Sequence, residues 1–224
     1  MAQTEITAPV SIFDEHGVLC NFGWAREPFF HYNRALLWTP RRLISESERY
    51  VIFSPTHLFM FEIWDTGIFG HLSISVVSFL DKKITGKFEK RLLPMGTLEL
   101  PNQSENTVIK KKVNGSLMEF ICIEDEGRII KIDAPRLNRG NRLRGEVVLM
   151  APGESQSIVT LAPWRQKERF QLIRCSPWYA VEGVMQFENT PLLFNRGKSW
   201  GIYEWARTAR PKTDIHYWAA ACGT

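Results

Sequence analysis

The chain has 224 residues, of which 44% are hydrophobic and 12% aromatic, and its formal net charge is +4. This apolar content is enough for a packed core of one or two domains, so an intrinsically disordered chain is excluded. The charge is mildly basic and falls short of the concentrated charge of a dedicated nucleic-acid-binding protein.

The cysteines are widely spaced and form no CxxC pair; they are Cys20, Cys122, Cys175 and Cys222. Neither a disulfide scaffold nor a metal site is therefore predicted, and no cofactor is expected. The N-terminus lacks the basic start and long apolar core of a signal peptide. The longest apolar stretch, residues 66–80, is too short to span a bilayer. We expect a cytoplasmic protein without a membrane span.

The first strand patterns are residues 49–53, 58–64 and 72–79, which are rich in aromatic and β-branched side chains. In the third, Leu, Ile and Val alternate with serines, which is the period of a strand with one buried face. Residues 108–113 and 116–123 flank Asn114-Gly115, a pair that favours a tight hairpin. With residues 128–133, they are predicted to form a three-stranded meander.

Five further strands are predicted in the second half of the chain: residues 145–150, 157–161, 181–187, 200–206 and 215–220. Only Arg165 to Ile173 has enough long polar side chains to favour a short helix. Many short strands must bury one face against another sheet or close on themselves. The fold is therefore predicted to be all-β, an antiparallel barrel or sandwich with a minor helix.

Three groups of motifs span nearly the whole chain. They are Ile12 to Gly17 with Phe22-Gly-Trp-Ala-Arg26 and Tyr32-Asn33, then Trp64-Asp-Thr-Gly67, and finally Trp200 to Arg207 with His216 to Gly223. In these motifs the chain resembles the uncharacterised family of domain-of-unknown-function 2804 (DUF2804) proteins. The resemblance implies a lipocalin-like barrel, similar in shape to carotenoid hydratase and tocopherol cyclase relatives, with an apolar cavity for a lipid or isoprenoid-like molecule. It brings no established reaction.

The resemblance also bears on the domain organisation. Residues 1–45 are expected to form an extended N-terminal segment that packs on the barrel as a plug, and residues 46–224 the lipocalin-like domain. Because members of the family continue into a second β-rich lobe, the chain is expected to be either a natural short form or the first lobe of a longer protein. The chain departs from the family pattern at Glu204, where the pattern has Asp.

The candidate catalytic residues are Glu204 and His216, which the strand pattern places near Arg207. Glu204 and Ala206 are predicted to share one face of a strand, with Trp205 and Arg207 on the other. A carboxylate, a guanidinium and an imidazole would allow protonation of an alkene or orientation of a polar head. The alternative is that Glu204 and Arg207 form a structural ion pair.

The candidate ligand-binding residues are Trp24, Arg26, Asp65, Trp205, Arg207 and Trp218. Trp24 and Arg26 either line the mouth of the barrel or belong to a packed plug. Asp65 either accepts hydrogen bonds from a ligand or makes the ordinary Asp-x-Gly turn at a strand end.

The arginines between Arg136 and Arg144 make the only feature that resembles a nucleic-acid site, and a solvated face explains them, so no nucleic-acid partner is expected. The leading hypothesis is a protein that binds a small hydrophobic molecule. One alternative is a lyase or isomerase that acts on an unsaturated hydrophobic substrate. The other is a structural or interaction lobe that docks on a C-terminal lobe.

Overall fold

The computed structural model describes residues 4–93, 98–137, 140–151, 157–165 and 168–209. The strands in these ranges are β1 (Val10–Ser11), β2 (Gly23–Ala25), β3 (Phe30–His31), β4 (Ile44–Phe53), β5 (His57–Asp65), β6 (Gly70–Ser78), β7 (Lys83–Leu92), β8 (Thr107–Val113), β9 (Ser116–Ile123), β10 (Gly127–Ala134), β11 (Leu143–Met150), β12 (Ile158–Pro163), β13 (Phe170–Phe187), β14 (Thr190–Phe194) and β15 (Trp200–Ala209). Single 3-10 turns lie at Arg34–Leu36 and Arg41–Leu43. The prediction of an all-β fold is confirmed. No helix in the described ranges has the length and apolar character to cross a membrane.

Thirteen of the strands form one large antiparallel sheet, while β1 and β3 pair separately in parallel. The main strand order is β7-β6-β5-β4-β15-β13-β11-β10-β9-β8, with β12 and β14 beside β13 and β2 beside β12. The sheet curls strongly: Tyr50 on β4 and Phe120 on β9 have ring centroids 4.8 Å apart, although four strands separate them in the sheet. The sheet thus nearly closes into a barrel.

The hairpin predicted around Asn114-Gly115 is confirmed. Both residues have positive φ angles, 51° and 80°, and they connect β8 directly to β9. Asn and Gly tolerate this conformation, and such a turn matches the twist of the two strands. β10 then pairs with β9, which completes the predicted meander.

The helix predicted over Arg165 to Ile173 is wrong for its second half, because β13 begins at Phe170. Phe170 and Leu172 are fully buried, whereas Gln171 and Ile173 are only half-buried, so burial alternates with the period of a strand. β12 pairs with this part of β13 on one side and β15 on the other. Sheet pairing on both edges outweighs the weak helix propensity of the sequence.

A bend divides the long strand β13 into two halves. The register against β15 shifts between Ser176 and Tyr179, and Trp178 has a φ of 65°. The first half lies between β12 and β15, and the second half pairs with β11 and β14. The bulge bends the strand, which helps the sheet to curl around its core.

The N-terminal segment packs on the part of the barrel where β4 begins. The Phe13 ring meets that of Phe170 edge-on at 5.8 Å, and Tyr32 meets Trp205 at 6.4 Å. Ser157 donates a hydrogen bond to the carbonyl of Arg26 at 2.8 Å. The division of the chain at residue 45 stays a prediction.

The inner face of the sheet is hydrophobic in one part and charged in another. Fully buried aromatic and aliphatic side chains, among them Phe59, Phe61 and Ile74, fill the first part. The second part contains six buried charged residues: Glu46, Glu48, Asp65, Arg128, Arg174 and Arg207. Buried charges have to be paired, so this part of the interior requires a network of partners.

Candidate ligand-binding site

Residues 98–106, which lead into β8, are held against the charged part of the barrel. We call residues 98–106 the strap. Four of its backbone carbonyls accept hydrogen bonds from cationic side chains: Leu98 from Lys111 at 2.6 Å, Leu100 from Arg34 at 2.6 Å, Pro101 from Arg207 at 2.6 Å and Ser104 from Arg128 at 3.0 Å. The strap therefore satisfies donors of two buried cations, Arg128 and Arg207, and of two half-buried ones with neutral oxygens.

One group of charges, the Glu46 cluster, consists of Tyr32, Arg34, Arg41, Glu46 and Asp65. Glu46 Oε1 accepts from the Tyr32 hydroxyl at 2.9 Å and from Arg34 Nε at 2.8 Å, and its Oε2 accepts from Arg41 Nη2 at 2.9 Å. The same Arg41 nitrogen lies 3.1 Å from Asp65 Oδ2. Both carboxylates are fully buried, and both of their oxygens are bonded. This cluster is saturated.

Glu48 lies next to the Glu46 cluster and joins β4 to β15. Its carboxylate accepts from Arg207 Nη2 at 3.0 Å and from the Tyr203 hydroxyl at 2.6 Å. Burial raises the pKa of the Glu48 carboxyl, although Arg207 and the Tyr203 hydrogen bond act in the opposite direction. The phenolic ring of Tyr203 in turn lies beneath the guanidinium of Arg128, 3.6 Å from its carbon.

The second group of charges, the Glu105 cluster, consists of Glu105, Cys122, Arg128 and Arg174. Glu105 Oε1 accepts from Arg128 Nη2 at 3.0 Å and from Arg174 Nη1, and Oε2 accepts from the Cys122 thiol at 2.8 Å. Burial raises the pKa of the Glu105 carboxyl, but the charges of Arg128 and Arg174 outweigh this effect and hold the pKa below its usual value. Burial raises the pKa of the Cys122 thiol to about 12, so it remains a protonated donor.

Two adjoining clefts border the Glu105 cluster. The first has a volume of about 330 Å³ and lies between the N-terminal segment, the strap and β13, with Phe30, Tyr32, Val159, Arg174 and Trp205 in its wall. The second has a volume of about 150 Å³ and includes Cys122, Arg128 and Ser176. Glu105 and Arg174 belong to both clefts. The lining of the first cleft combines aromatic rings with polar groups of the strap.

Three buried polar atoms beside these clefts have no hydrogen-bond partner within the part of the chain that the structure describes. They are Arg174 Nε, Trp205 Nε1 and Ser176 Oγ. Arg174 and Trp205 are direct neighbours across the β13–β15 ladder, and both line the first cleft. Both side chains can only donate, and the group that satisfies them has to be an acceptor.

The two predicted ligand residues on the inner face of β15 have different surroundings. Trp205 is 3% exposed and lies in the wall of the first cleft. Arg207 is fully buried, and its guanidinium bonds Glu48 and the strap. Trp205 therefore lies at the site, whereas Arg207 holds the strap.

Glu204 lies on the opposite face of β15, together with Ala206. Its Oε1 is 3.3 Å from Arg49 Nη1, and Arg49 also pairs with Glu62 at 2.8 Å. Because Arg207 points to the inner face and bonds Glu48, the alternative in which Glu204 and Arg207 pair with each other is wrong. A two-residue repeat places neighbours at odd separation on opposite faces.

His216 and Trp218 lie outside the described residues. The catalytic pairing of Glu204 with His216 and the ligand contact of Trp218 therefore stay predictions. The same holds for the docking of a further C-terminal lobe.

The remaining predicted residues have structural surroundings. Asp65 Oδ1 accepts from the Gly67 amide at 2.7 Å, which confirms the turn interpretation. Its Oδ2 also accepts from the Leu98 amide at 3.2 Å and so anchors the strap. Arg26 lies over the Trp24 ring at 5.2 Å and pairs with Glu5 at 2.9 Å. Neither Trp24 nor Arg26 is part of the wall of the two clefts.

Sequence reasoning missed Glu105, Cys122, Arg128 and Arg174. A signal for Arg174 was present: Phe170, Leu172, Arg174 and Ser176 keep the two-residue spacing of one strand face. A charged side chain at such a position is a candidate for a buried functional group. Glu105 has no such signal, because it lies on the strap and not in a strand.

The fold and this site define a class of protein: an antiparallel, nearly closed β-barrel with buried charges bordered by clefts. The chain belongs to the family described as a domain of unknown function (DUF2804), whose family model matches residues 3–224. The resemblance in the motifs is thereby confirmed. No curated protein matches the chain.

Proposed function

We propose that the protein binds a small hydrophobic molecule with a polar head in the first cleft. One observation carries this proposal: the buried Trp205 Nε1 and Arg174 Nε, neighbours in the sheet, lack partners in the described part of the chain. Leaving a buried donor unpaired costs about 1–3 kcal/mol. A ligand acceptor that binds there would remove this cost, so the two donors favour a ligand with an acceptor at one end.

The size and lining of the first cleft support a ligand with an apolar body. Its volume of about 330 Å³ lies at the lower end of the range of small-molecule pockets, roughly 300–1,000 Å³. Phe30, Val159 and Trp205 offer apolar surface, and the polar side chains of the strap lie beside them. A lipid or isoprenoid-like molecule with a polar end matches this combination. We therefore propose that the barrel is lipocalin-like in its function as well.

We also propose a cytoplasmic location. It is supported by the Cys122 thiol, which donates to Glu105 from inside the barrel and would lose this hydrogen bond on oxidation. Fractionation of cells that express the tagged chain checks this proposal; recovery from a secreted or membrane fraction would contradict it.

The experiment for the proposed function is to purify the protein gently from a lipid-containing extract and to identify retained molecules by mass spectrometry. A matched pair of variants locates the site. Asn102→Trp places a large ring at an exposed strap position in the wall of the first cleft, whereas Asn195→Trp does so at an exposed turn outside it. We expect retained ligand in the wild type and in Asn195→Trp, and at least about a tenfold loss in Asn102→Trp. Equal retention by both variants would contradict the assignment of the cleft.

A further inference from the structure

The Glu105 carboxylate occupies a site that is built to hold a carboxylate. It receives hydrogen bonds from two guanidinium groups and a thiol, and these partners lie deeper than the carboxylate itself. The side chains of Arg128 and Arg174 are 2% and 9% exposed, whereas that of Glu105 is 20% exposed. The cations thus belong to the fixed wall of the barrel, and the anion lies at its surface.

An anion is required at this location whichever molecule supplies it. A guanidinium stays charged at every physiological pH and can only donate. Two buried guanidinium groups without an anion would be strongly destabilising. Glu105 supplies that anion from the strap, which would remain attached through Leu100 and Pro101 if the Glu105 side chain turned away.

We propose that the ligand carries a carboxylate and that this group exchanges with the Glu105 carboxylate on Arg174. Glu105 is then a built-in competitor, which neutralises the site when no ligand is present. The inference rests on the proposed function and names the chemical class of its ligand. In the bound state the ligand carboxylate takes the place of Glu105 as the acceptor for Arg174 Nη1.

The charges around the two clefts select the route of entry. The second cleft is bordered by Glu27, Glu124 and Asp125, which repel an approaching anion. The first cleft shares only Glu124 among these acids and also contains His31 and Phe30. The ligand carboxylate therefore enters through the first cleft, with its apolar body against the aromatic side chains.

The test compares decanoate with decanol, which have the same apolar body and differ in the head. Binding is measured by titration calorimetry on wild type, Glu105→Gln, Arg174→Gln and the control Arg142→Gln. Arg142 pairs with Asp133 on the exposed surface.

Since Gln lacks the competing charge, we expect Glu105→Gln to bind decanoate about tenfold more tightly than wild type. Arg174→Gln should bind it at least about tenfold more weakly. Decanol affinity should change less than about twofold in Glu105→Gln and Arg142→Gln, and Arg174→Gln should weaken decanol less than decanoate, because decanol carries no charge.

The outcomes separate the two proposals. If neither decanoate nor decanol binds to any variant, the proposed function itself is overturned. If both bind with similar affinity and Glu105→Gln does not favour decanoate, the carboxylate exchange is overturned and the binding function stands. Decyl phosphate, which has the same apolar body, is titrated in the same way. If it binds more tightly than decanoate, the proposed carboxylate is overturned in favour of a phosphate head. Arg174→Gln and the decanol comparison keep the exchange testable if Glu105→Gln fails to fold.

Discussion

The Glu46 and Glu105 clusters use the same chemistry and differ in whether they border the two clefts. In each, a carboxylate is held by two arginines and by a neutral donor, Tyr32 for Glu46 and Cys122 for Glu105. Glu46 is fully buried, and every oxygen has a partner. Glu105 borders two clefts, and Arg174 beside it keeps an N–H with no described partner. Arg207 Nε, 3.8 Å from Glu46 Oε1, also lacks a hydrogen-bond partner in the described part of the chain. The clefts beside Glu105, and not an unpaired donor alone, therefore distinguish the candidate site from the structural cluster.

One sheet register places both clusters. Across the ladders of β5, β4 and β15, Asp65, Glu46 and Arg207 lie in one row. Two residues further along β15, Trp205 lies opposite Arg174 of β13. Side chains two residues apart share a face, so the row with Glu46 and the row with Arg174 lie side by side on the same face of the sheet.

The largest expected effect tests the structural role of the Glu46 cluster. Glu46→Ala leaves Arg34 and Arg41 without their shared carboxylate, and breaking such a buried pair costs about 3–5 kcal/mol of unfolding free energy. The measurement is urea unfolding at neutral pH. Glu182→Ala is the control, because Glu182 pairs with Arg196 on the exposed surface, where loss of an ion pair costs less than about 1 kcal/mol. Similar losses in the two variants would show that the Glu46 cluster is not structural.

An intermediate effect is expected on the unfolding free energy that the Glu105 cluster contributes at acid pH. The pKa of Glu105 in the folded protein lies below its ordinary value of 4.5. Between these two pKa values the unfolded chain binds more protons, so stability rises with pH. The contribution is complete above about pH 4.5 and is lost as the pH falls through the folded pKa.

Glu105→Gln should therefore lose less unfolding free energy than wild type when the pH is lowered below about 4.5. Urea unfolding at a series of pH values measures the slope. Gln103→Ala, a change at a neighbouring strap residue that does not titrate, should keep the wild-type slope. An unchanged slope in Glu105→Gln would mean that Arg128 and Arg174 do not depend on this carboxylate.

The sequence predicted the sheet better than it predicted the charged interior, and the reason is visible in β4. Residues 108–123 carry both an alternating pattern and a specific turn, so their hairpin was predictable. In β4, Glu46 and Glu48 alternate with Ser45, Ser47 and Arg49, so both faces are polar and hydrophobicity does not distinguish them. Only their pairing with distant residues such as Arg34 and Arg207 permits their burial. That pairing depends on the closed sheet, which a local pattern does not contain.

The candidate site was predicted in part for the same reason. Trp205 was identified from its motif, and it does lie in the wall of the first cleft. Its neighbour Arg174 directly follows the segment predicted as a helix, Arg165 to Ile173, and Glu105 comes from a connection without a motif. These three residues come from separate segments, so the site emerges only once the sheet register and the path of the strap are known.

The smallest expected effect compares two buried serine hydroxyls, one with a hydrogen-bond partner and one with no partner in the described part of the chain. Ser104 and Ser176 are both buried, at 6% and 1% exposure. Ser104 Oγ accepts from Arg174 Nη1 at 2.8 Å, whereas Ser176 Oγ has no partner in the described part of the chain. Ser104→Ala should cost about 1–2 kcal/mol, because it removes a hydrogen bond to a charged group. Ser176→Ala should change the unfolding free energy by less than about 0.5 kcal/mol, because the hydroxyl contributes no bond and its removal ends a desolvation cost. Parallel urea titrations give the difference. Equal losses would show that an ordered water already satisfies Ser176, and the proposal of a ligand acceptor would then rest on the donors of Arg174 and Trp205 alone.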